Sequence, residues 1–252
     1  MDISIIAIVL LTLASFLAGF IDSIAGGGGL LMIPSYLLAG IPPHSALGTN
    51  KFVATVGTSA AVFNFIRKGK ISLKTVLIGI AFSLSGAYIG SKTILLFDPT
   101  LVGKIVVFLL PIGIVATLIP KKNTIKKENL SKLDFYLKIP LICITIGFYD
   151  GFFGPGTGAF LALALNFFIR LNLVEATANA KVFNFFSSFG AFIAFMINGK
   201  VIYLLAIPLI VASVFGNYIG SILAIKKGEK FIKGVLIIVF VVLIITLSVK
   251  YF

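Results

Sequence analysis

The fold is decided by a stretch near the N-terminus that reads Gly19-Phe20-Ile21-Asp22-Ser23-Ile24-Ala25-Gly26-Gly27-Gly28-Gly29-Leu30. Four consecutive glycines interrupt a long apolar segment and follow a lone carboxylate, Asp22. Glycine adopts left-handed backbone conformations readily, and a run of glycines ends a helix. The stretch therefore predicts two apolar helices joined by an irregular turn.

The same pattern returns in the second half of the chain. Gly147-Phe148-Tyr149-Asp150 repeats the first four residues at an offset of 128, and Gly154-Pro155-Gly156-Thr157-Gly158 stands in place of the glycine run. From Lys51 and Lys181 onward the offset is 130. A constant offset over several matches predicts an internal repeat. We expect a first transmembrane repeat over 1–120, a basic cytoplasmic linker over 121–135 and a second repeat over 136–252.

The composition excludes a soluble protein. Of the 252 residues, 59% are hydrophobic and 12% charged, whereas soluble domains average about 45–50% apolar and about 25% charged residues. The single cysteine excludes a disulfide scaffold. An all-α polytopic membrane protein remains. The apolar runs predict ten helices: 3–24, 29–40, 46–66, 72–96, 101–119, 136–153, 156–171, 177–198, 201–225 and 231–250.

The distribution of positive charge predicts the orientation in the membrane. The net charge is +13, and the basic residues concentrate in three loops, at 67–74, 121–138 and 226–233. Placing these loops in the cytoplasm leaves both termini outside. The loop at 67–74 is then inside while its repeat counterpart near 199 is outside, so the two halves are expected to be inverted. Inverted repeats with broken or re-entrant helices are typical of secondary transporters.

The two glycine-rich turns are the first candidate binding site. Irregular backbone at membrane depth is tolerated where protein buries it or where it lines a wet cavity. The helices that follow would aim free N–H groups and positive dipole ends at a small anion. Alternatively, the glycines only allow close helix crossing. The candidate residues are Gly26, Gly27, Gly28, Gly29, Gly154, Gly156, Thr157 and Gly158.

A symmetric pair of lysines, Lys51 and Lys181, is the second candidate. Each lies about one and a half turns into its predicted helix, where it would either attract an anion or extend to the membrane surface. Their neighbours Thr49, Asn50 and Asn179 are able to hydrogen-bond an oxyanion.

Asp22 and Asp150 are the acidic residues placed inside predicted spans, and intramembrane carboxylates are candidates for function. Three interpretations stay open. Each carboxylate carries a coupling proton, forms a structural pair with one of the two lysines, or caps the adjacent glycine turn through backbone N–H groups.

Taken together, these motifs resemble the TauE/SafE family of sulfite exporters. The resemblance rests on the stretch from Gly19 to Leu30, on Ala46-Leu47-Gly48-Thr49-Asn50-Lys51, and on the partner motifs after Gly147. It implies a membrane permease for small sulfur-containing anions such as sulfite and organosulfonates. Beyond the resemblance, we expect alternating access of the two repeats as the mechanism and export as the direction. The alternatives are a passive anion channel of the same fold and a substrate-binding subunit of a larger complex.

The expected setting is the cell membrane. The chain carries no Walker, CxxC or HExxH pattern, so we expect no enzyme activity, no cofactor and no metal site. The expected partners are the anion and the bilayer, with a proton as candidate coupling ion and a second copy of the chain as candidate partner. Nucleic acid is not expected.

The topology can be tested with a cysteine at position 125, within the predicted cytoplasmic linker. A membrane-impermeant maleimide should alkylate the Ile125→Cys protein only from the cytoplasmic side of oriented vesicles, because three basic loops share that side. Labelling from the outside would overturn the predicted orientation.

Overall fold

The chain folds entirely into helices over the residues that the computed structural model describes, 4–118 and 131–227. Their order is α1 (Ile5–Ala25), α2 (Gly28–Leu38), α3 (Pro43–Arg67), α4 (Leu73–Ile94), α5 (Pro99–Leu118), α6 (Ile139–Phe152), α7 (Thr157–Phe168), α8 (Leu173–Ile197) and α9 (Tyr203–Lys227). A π-helical turn, Asp134–Lys138, leads directly into α6. The all-helical prediction is confirmed. The predicted helix 231–250 and most of the predicted linker lie outside the described residues.

Several helices have the length and composition of membrane spans. Five described segments qualify: Ile5–Ile24, Leu73–Ile94, Asp134–Phe152, Leu173–Ile197 and Tyr203–Lys226. Large apolar side chains such as Leu77, Phe108 and Leu204 are fully exposed on the outer faces, as a lipid-facing surface requires. By contrast, α2 and α7 have 11 and 12 residues. At about 1.5 Å per residue they are too short to cross a hydrocarbon core of about 30 Å.

The helices pack in matched pairs. α3 and α8 contact each other at the centre, α1 packs on α9 as α6 packs on α4, and α3 packs on α9 as α8 packs on α4. The two halves therefore share one core, because α1 and α3 of the first half pack on α9 of the second, and α6 and α8 of the second half pack on α4 of the first.

Two side chains of the predicted site turn out to secure this arrangement. The backbone N–H of Ile202, just before α9, donates to Thr49 Oγ1 at 3.0 Å. The N–H of Ser72, just before α4, donates to Asn179 Oδ1 at 3.2 Å. Both donors and both acceptors are related by the offset of 130, so the two halves are built alike. The inversion of one half across the membrane stays a prediction.

The central helices begin earlier than the sequence pattern predicts. α3 starts at Pro43, whose fixed φ suits the first turn of a helix. α8 starts directly after Asn172, whose side chain accepts a hydrogen bond from the Glu175 N–H at 2.9 Å. Consequently Lys51 and Lys181 are each the ninth residue of their helix and lie deeper than expected.

Glycines set the closest helix contacts. A methyl group on Gly216 of α9 would fall on the carbonyl oxygen of Phe16 in α1. At the matched position, a methyl group on Gly86 of α4 would fall on the carbonyl of Ile144 in α6. The small residues therefore allow backbone to touch backbone, as is common between membrane helices.

This packing predicts that Gly216→Ala is destabilising. The added methyl group overpacks the contact between α1 and α9, at a cost of about 1–3 kcal/mol. Thermal unfolding in detergent micelles measures the loss.

The matched control is Gly103→Ala in α5. There the nearest atom to an added methyl group is Pro43 Cγ at 3.5 Å, so the higher helix propensity of alanine should leave stability unchanged or raise it by up to ~1 kcal/mol. Equal melting temperatures for the two variants would contradict the packing account.

Candidate functional site

Both predicted helix breaks are present, and positive φ angles produce them. α1 ends at Gly26, with φ +80°, whose N–H donates to the Asp22 carbonyl at 2.8 Å. α6 is followed by Gly154, with φ +97°, and α7 is capped by Gly156, with φ +85°. Residues with a side chain rarely adopt this conformation, so each break depends on glycine.

The two breaks meet in the interior. A methyl group on Gly26 would fall on the backbone of Gly158 and Ala159, and one on Gly158 would lie 2.6 Å from Gly26 Cα. Gly29 approaches the Cα of Pro155, with 3.3 Å to an added methyl group. The turns after α1 and α6 therefore touch, backbone against backbone. We call this contact the hinge junction.

A buried ion pair lies on one side of the hinge junction. Lys51 Nζ of α3 donates to Asp150 Oδ1 of α6 at 2.7 Å, with side chains only 3% and 2% exposed. The second carboxylate oxygen of Asp150 accepts a hydrogen bond from Ser187 Oγ at 2.7 Å. A methyl group on Gly154 would lie 2.5 Å from the lysine nitrogen, so the ammonium lies against the second turn.

A second ion pair occupies the matched position. Lys181 Nζ of α8 donates to Asp22 Oδ2 of α1 at 2.8 Å, and the side chains are 1% and 17% exposed. The Gly28 N–H donates to Asp22 Oδ1 over a longer 3.4 Å. A methyl group on Gly158 would lie 3.3 Å from Lys181 Nζ. The hinge junction is therefore flanked by one lysine from each half.

Both ion pairs cross between the halves. Lys51 of the first half pairs with Asp150 of the second, and Lys181 of the second half pairs with Asp22 of the first. The structure thus forms the lysine–carboxylate pairs, which were one of the three interpretations of Asp22 and Asp150. Asp22 also accepts a hydrogen bond from the Gly28 N–H and so caps the first turn. Neither lysine extends to the membrane surface. The role of either carboxylate as a proton carrier stays a prediction.

The remaining predicted residues divide into two groups. Asn50 is half-buried and, with Asp22, lines a small cavity of about 40 Å³. Gly27 is buried as the N-cap of α2. By contrast, Thr157 donates its hydroxyl to the Gly154 carbonyl at 2.6 Å. This hydrogen bond closes the second turn. Thr49 and Asn179 accept the hydrogen bonds from Ile202 and Ser72 described above, so all three side chains have structural partners.

The sequence analysis does not single out four polar residues that line the same cavity, Ser15 of α1, Thr58 of α3, and Ser213 and Asn217 of α9. Each is buried, with 4% exposure or less. A comparison of the two halves contained a signal, because the position equivalent to Asn217 is Ala87. A polar amide in only one of two equivalent helices marks a local function. Among the described residues no group of three or more His, Cys, Asp or Glu side chains is placed to hold a metal ion.

Comparison with known proteins identifies related chains. The family described as "Sulfite exporter TauE/SafE" matches residues 11–247. A probable membrane transporter protein of Haemophilus influenzae is 37% identical over 240 residues, covering 94% of this chain and 93% of its own. The probable membrane transporter protein YfcA of Escherichia coli K12 is 38% identical over 227 residues, covering 89% and 83%. YdhB of Bacillus subtilis, also named a probable membrane transporter protein, is 27% identical over 218 residues, covering 85% and 87%. No solved structure matches this chain significantly.

The buried pair predicts a non-additive response to mutation. Lys51→Ala leaves the Asp150 carboxylate without its cation, and breaking a buried pair in this way costs about 3–5 kcal/mol. The double variant Lys51→Ala/Asp150→Ala removes both charges and should be less destabilised than Lys51→Ala alone. Thermal unfolding of the purified proteins gives the comparison. If the two effects simply add, the ion pair does not carry the interaction that its geometry implies.

Proposed function

The chain belongs to the TauE/SafE family of membrane transporters, and from this premise we propose that it is a secondary transporter that exports a small sulfur-containing anion. Sulfite and organosulfonates are the expected substrates. The observation that carries the proposal is the pair of buried lysines, one from each half, that flank the hinge junction beside Gly154 and Gly158.

The lysines explain how an anion would be held. A buried ammonium is costly without a negative partner, and here each lysine has a carboxylate at 2.7–2.8 Å. A substrate oxyanion offers the same chemistry as that carboxylate. The substrate therefore enters by replacing Asp22 beside Lys181 or Asp150 beside Lys51, and neighbouring backbone N–H groups at the glycine turns add to the attraction.

The two sides of the hinge junction offer alternating access. Asp150 is held by Lys51 and Ser187 and is almost fully buried, whereas Asp22 is 17% exposed next to a cavity. The ion pair of Asp150 is thus more enclosed than that of Asp22. Rocking of the two halves about the glycine turns would exchange these states, since Gly26, Gly154 and Gly156 have positive φ angles and no side chains of their own.

Displacement of a carboxylate also calls for a second ion. A freed Asp22 or Asp150 would be a buried negative charge next to a bound anion, which is unfavourable unless the carboxylate is neutralised. Uptake of a proton by either residue accomplishes this, so proton coupling is part of the proposal.

The proposal extends to the setting of the protein. The protein transports its substrate and does not catalyse a reaction. It lies in the cell membrane with both termini outside, and its candidate assembly is a homodimer. A passive channel of the same fold, or a substrate-binding subunit of a larger complex, is distinguished by experiment. A reconstituted single chain that accumulates anion against its electrochemical gradient when a pH gradient is imposed excludes both.

Lys181→Ala should weaken anion binding by about 10- to 100-fold, because a hydrogen bond to a charged group contributes about 1.5–3 kcal/mol. Proteoliposomes loaded with sulfite, thiosulfate or an organosulfonate, with a carboxylate for comparison, report flux and apparent affinity.

The control is Lys92→Ala, which removes the same charge from an exposed position on α4. Its flux should match that of the parent protein. Parent-like affinity in a folded Lys181→Ala protein would remove this lysine from the site.

A further inference from the structure

A small cavity lies beside the more exposed carboxylate, Asp22. It occupies about 40 Å³ between α1, α2, α3 and α9, and its lining combines apolar side chains such as Met32 and Val53 with the polar groups of Ser15, Asp22, Asn50, Thr58, Ser213 and Asn217. A volume of roughly 10–15 Å³ accommodates one water molecule by this kind of measure. The cavity therefore has room for a small ion with one or two waters.

Two oxygen atoms of this lining have no hydrogen-bond partner among the described residues. They are Thr58 Oγ1 and Asn217 Oδ1, and both side chains are 1% exposed. The orientation of the Asn217 amide is settled by its other end, since Nδ2 lies 3.0 Å from the Ser213 carbonyl, which can only accept a hydrogen bond. A buried polar atom left unpaired costs about 1–3 kcal/mol, so a ligand that satisfies these oxygens would be bound favourably.

The fold makes room for this amide. A methyl group on Gly19 of α1 would lie 2.8 Å from Asn217 Nδ2, and one on Gly57 of α3 would lie 3.1 Å from the same nitrogen. Two neighbouring helices thus carry glycine where any side chain would collide with Asn217.

The equivalent region of the other half is closed. Asn217 corresponds to Ala87, and Gly57 corresponds to Ser187, which donates to the second oxygen of Asp150 at 2.7 Å. Both oxygens of Asp150 are therefore satisfied by side chains. Asp22 Oδ1 has instead the 3.4 Å contact with the Gly28 N–H, and Asp22 lines the cavity.

The chemistry of the cavity selects a cation. Its free groups are an amide oxygen and a hydroxyl oxygen, with a carboxylate beside them. The amide and carboxylate oxygens can only accept and therefore repel an anion, and the hydroxyl oxygen can join them in coordinating a hard cation. A proton would neutralise Asp22 but would leave Thr58 Oγ1 and Asn217 Oδ1 unpaired, so at this carboxylate a bound metal cation takes the place of the coupling proton. We propose that this cavity binds a small monovalent cation through Asp22, Thr58 and Asn217, and that this cation is Na⁺.

The role of the cation rests on the proposed function. A cation on Asp22 competes with Lys181 for the carboxylate, and the freed ammonium is then available to the substrate. The cation and a monovalent anion enter together without a change in net charge. Each ligand should raise the affinity for the other by the same factor, as linkage requires. The direction of transport follows from the ion gradients and is measured separately.

The direct test is binding of ²²Na⁺ to the purified chain in a scintillation proximity assay at constant pH and ionic strength. We expect saturable binding that unlabelled NaCl displaces and choline chloride does not. Asn217→Ala should lower the affinity at least about tenfold, since even indirect support of a metal ligand contributes that much. Alanine suits the fold there because Ala87 occupies the equivalent position.

Two further variants keep the test decisive. Thr58→Val preserves shape while removing the second free oxygen, and it should also weaken ²²Na⁺ binding. Asn64→Ala is the matched control, because Asn64 lies on the same α3–α9 interface and hydrogen-bonds to Tyr218 and Ser221 instead. It should keep the parent affinity for ²²Na⁺.

The outcomes separate the two proposals. Saturable ²²Na⁺ binding that sulfite does not affect, together with absent anion flux, would keep the cation site and remove the proposed function. Anion flux that follows pH but is the same in NaCl and choline chloride, with no ²²Na⁺ binding, would keep the transporter and overturn the cation site in favour of a proton. An equal loss of binding in Asn217→Ala and Asn64→Ala would also overturn the assignment to this cavity.

Discussion

A lysine buried inside a membrane protein needs a negative partner, and this requirement organises the structure. Lys51 and Lys181 each lie nine residues into a central helix, out of reach of water. Each finds its carboxylate on the opposite half, so neither half neutralises its own charge. The desolvation cost of two such pairs is large, and hydrophobic residues of similar volume would serve stability at least as well. A pair of charges retained at this cost is better explained by binding than by stability.

Glycine at the two turns is the second requirement, because a side chain at position 154 or 158 would keep the lysine ammonium group away from the backbone of the turn. Gly26 and Gly158 allow the two interrupted helices to touch, and Gly154 and Gly158 leave space next to the lysine nitrogens. The glycines along α4 and α9 have a different purpose, which is to bring α6 and α1 close. The two sets look alike in the sequence. They are distinguished by what an added methyl group would meet, a charged nitrogen or another turn in the first case and a helix backbone in the second.

Much of the fold was predictable from the sequence. The ion-pair partners, the helix starts and the roles of Thr49 and Asn179 were not, for physical reasons. Apolar runs and glycine punctuation predicted the helices, and the offset of 128–130 predicted two related halves. The choice of partner for Asp22 was not predictable, because it depends on α1 packing near α8, and hydrophobic periodicity contains no information on which helices are neighbours. α3 and α8 begin earlier than predicted because Pro43 and the Asn172 cap start them. The prediction followed the apolar pattern, which begins a few residues later in both helices. Thr49 and Asn179 were chosen for their proximity to the lysines, but a helix turns about 100° per residue, so neighbours in sequence face different ways.

The differences between the halves are as informative as their likeness. A duplicated fold places equivalent carboxylates on both sides of one junction, and identical surroundings would give them identical properties. Instead Ser187 donates to Asp150, whereas glycine at the equivalent position 57 leaves room for Ser213 and Asn217, which line the same cavity as Asp22. Beside its lysine, Asp150 accepts a short hydrogen bond from Ser187, whereas Asp22 accepts a longer one from the Gly28 N–H and lines a cavity with unpaired oxygens. Because hydrogen-bond donors stabilise a carboxylate and acceptors stabilise a bound cation, Asp150 is held in its ion pair. Asp22 is the carboxylate at which the proposed exchange of partners would take place. The repeat gives the two carboxylates equivalent positions, and these few substitutions give them different surroundings.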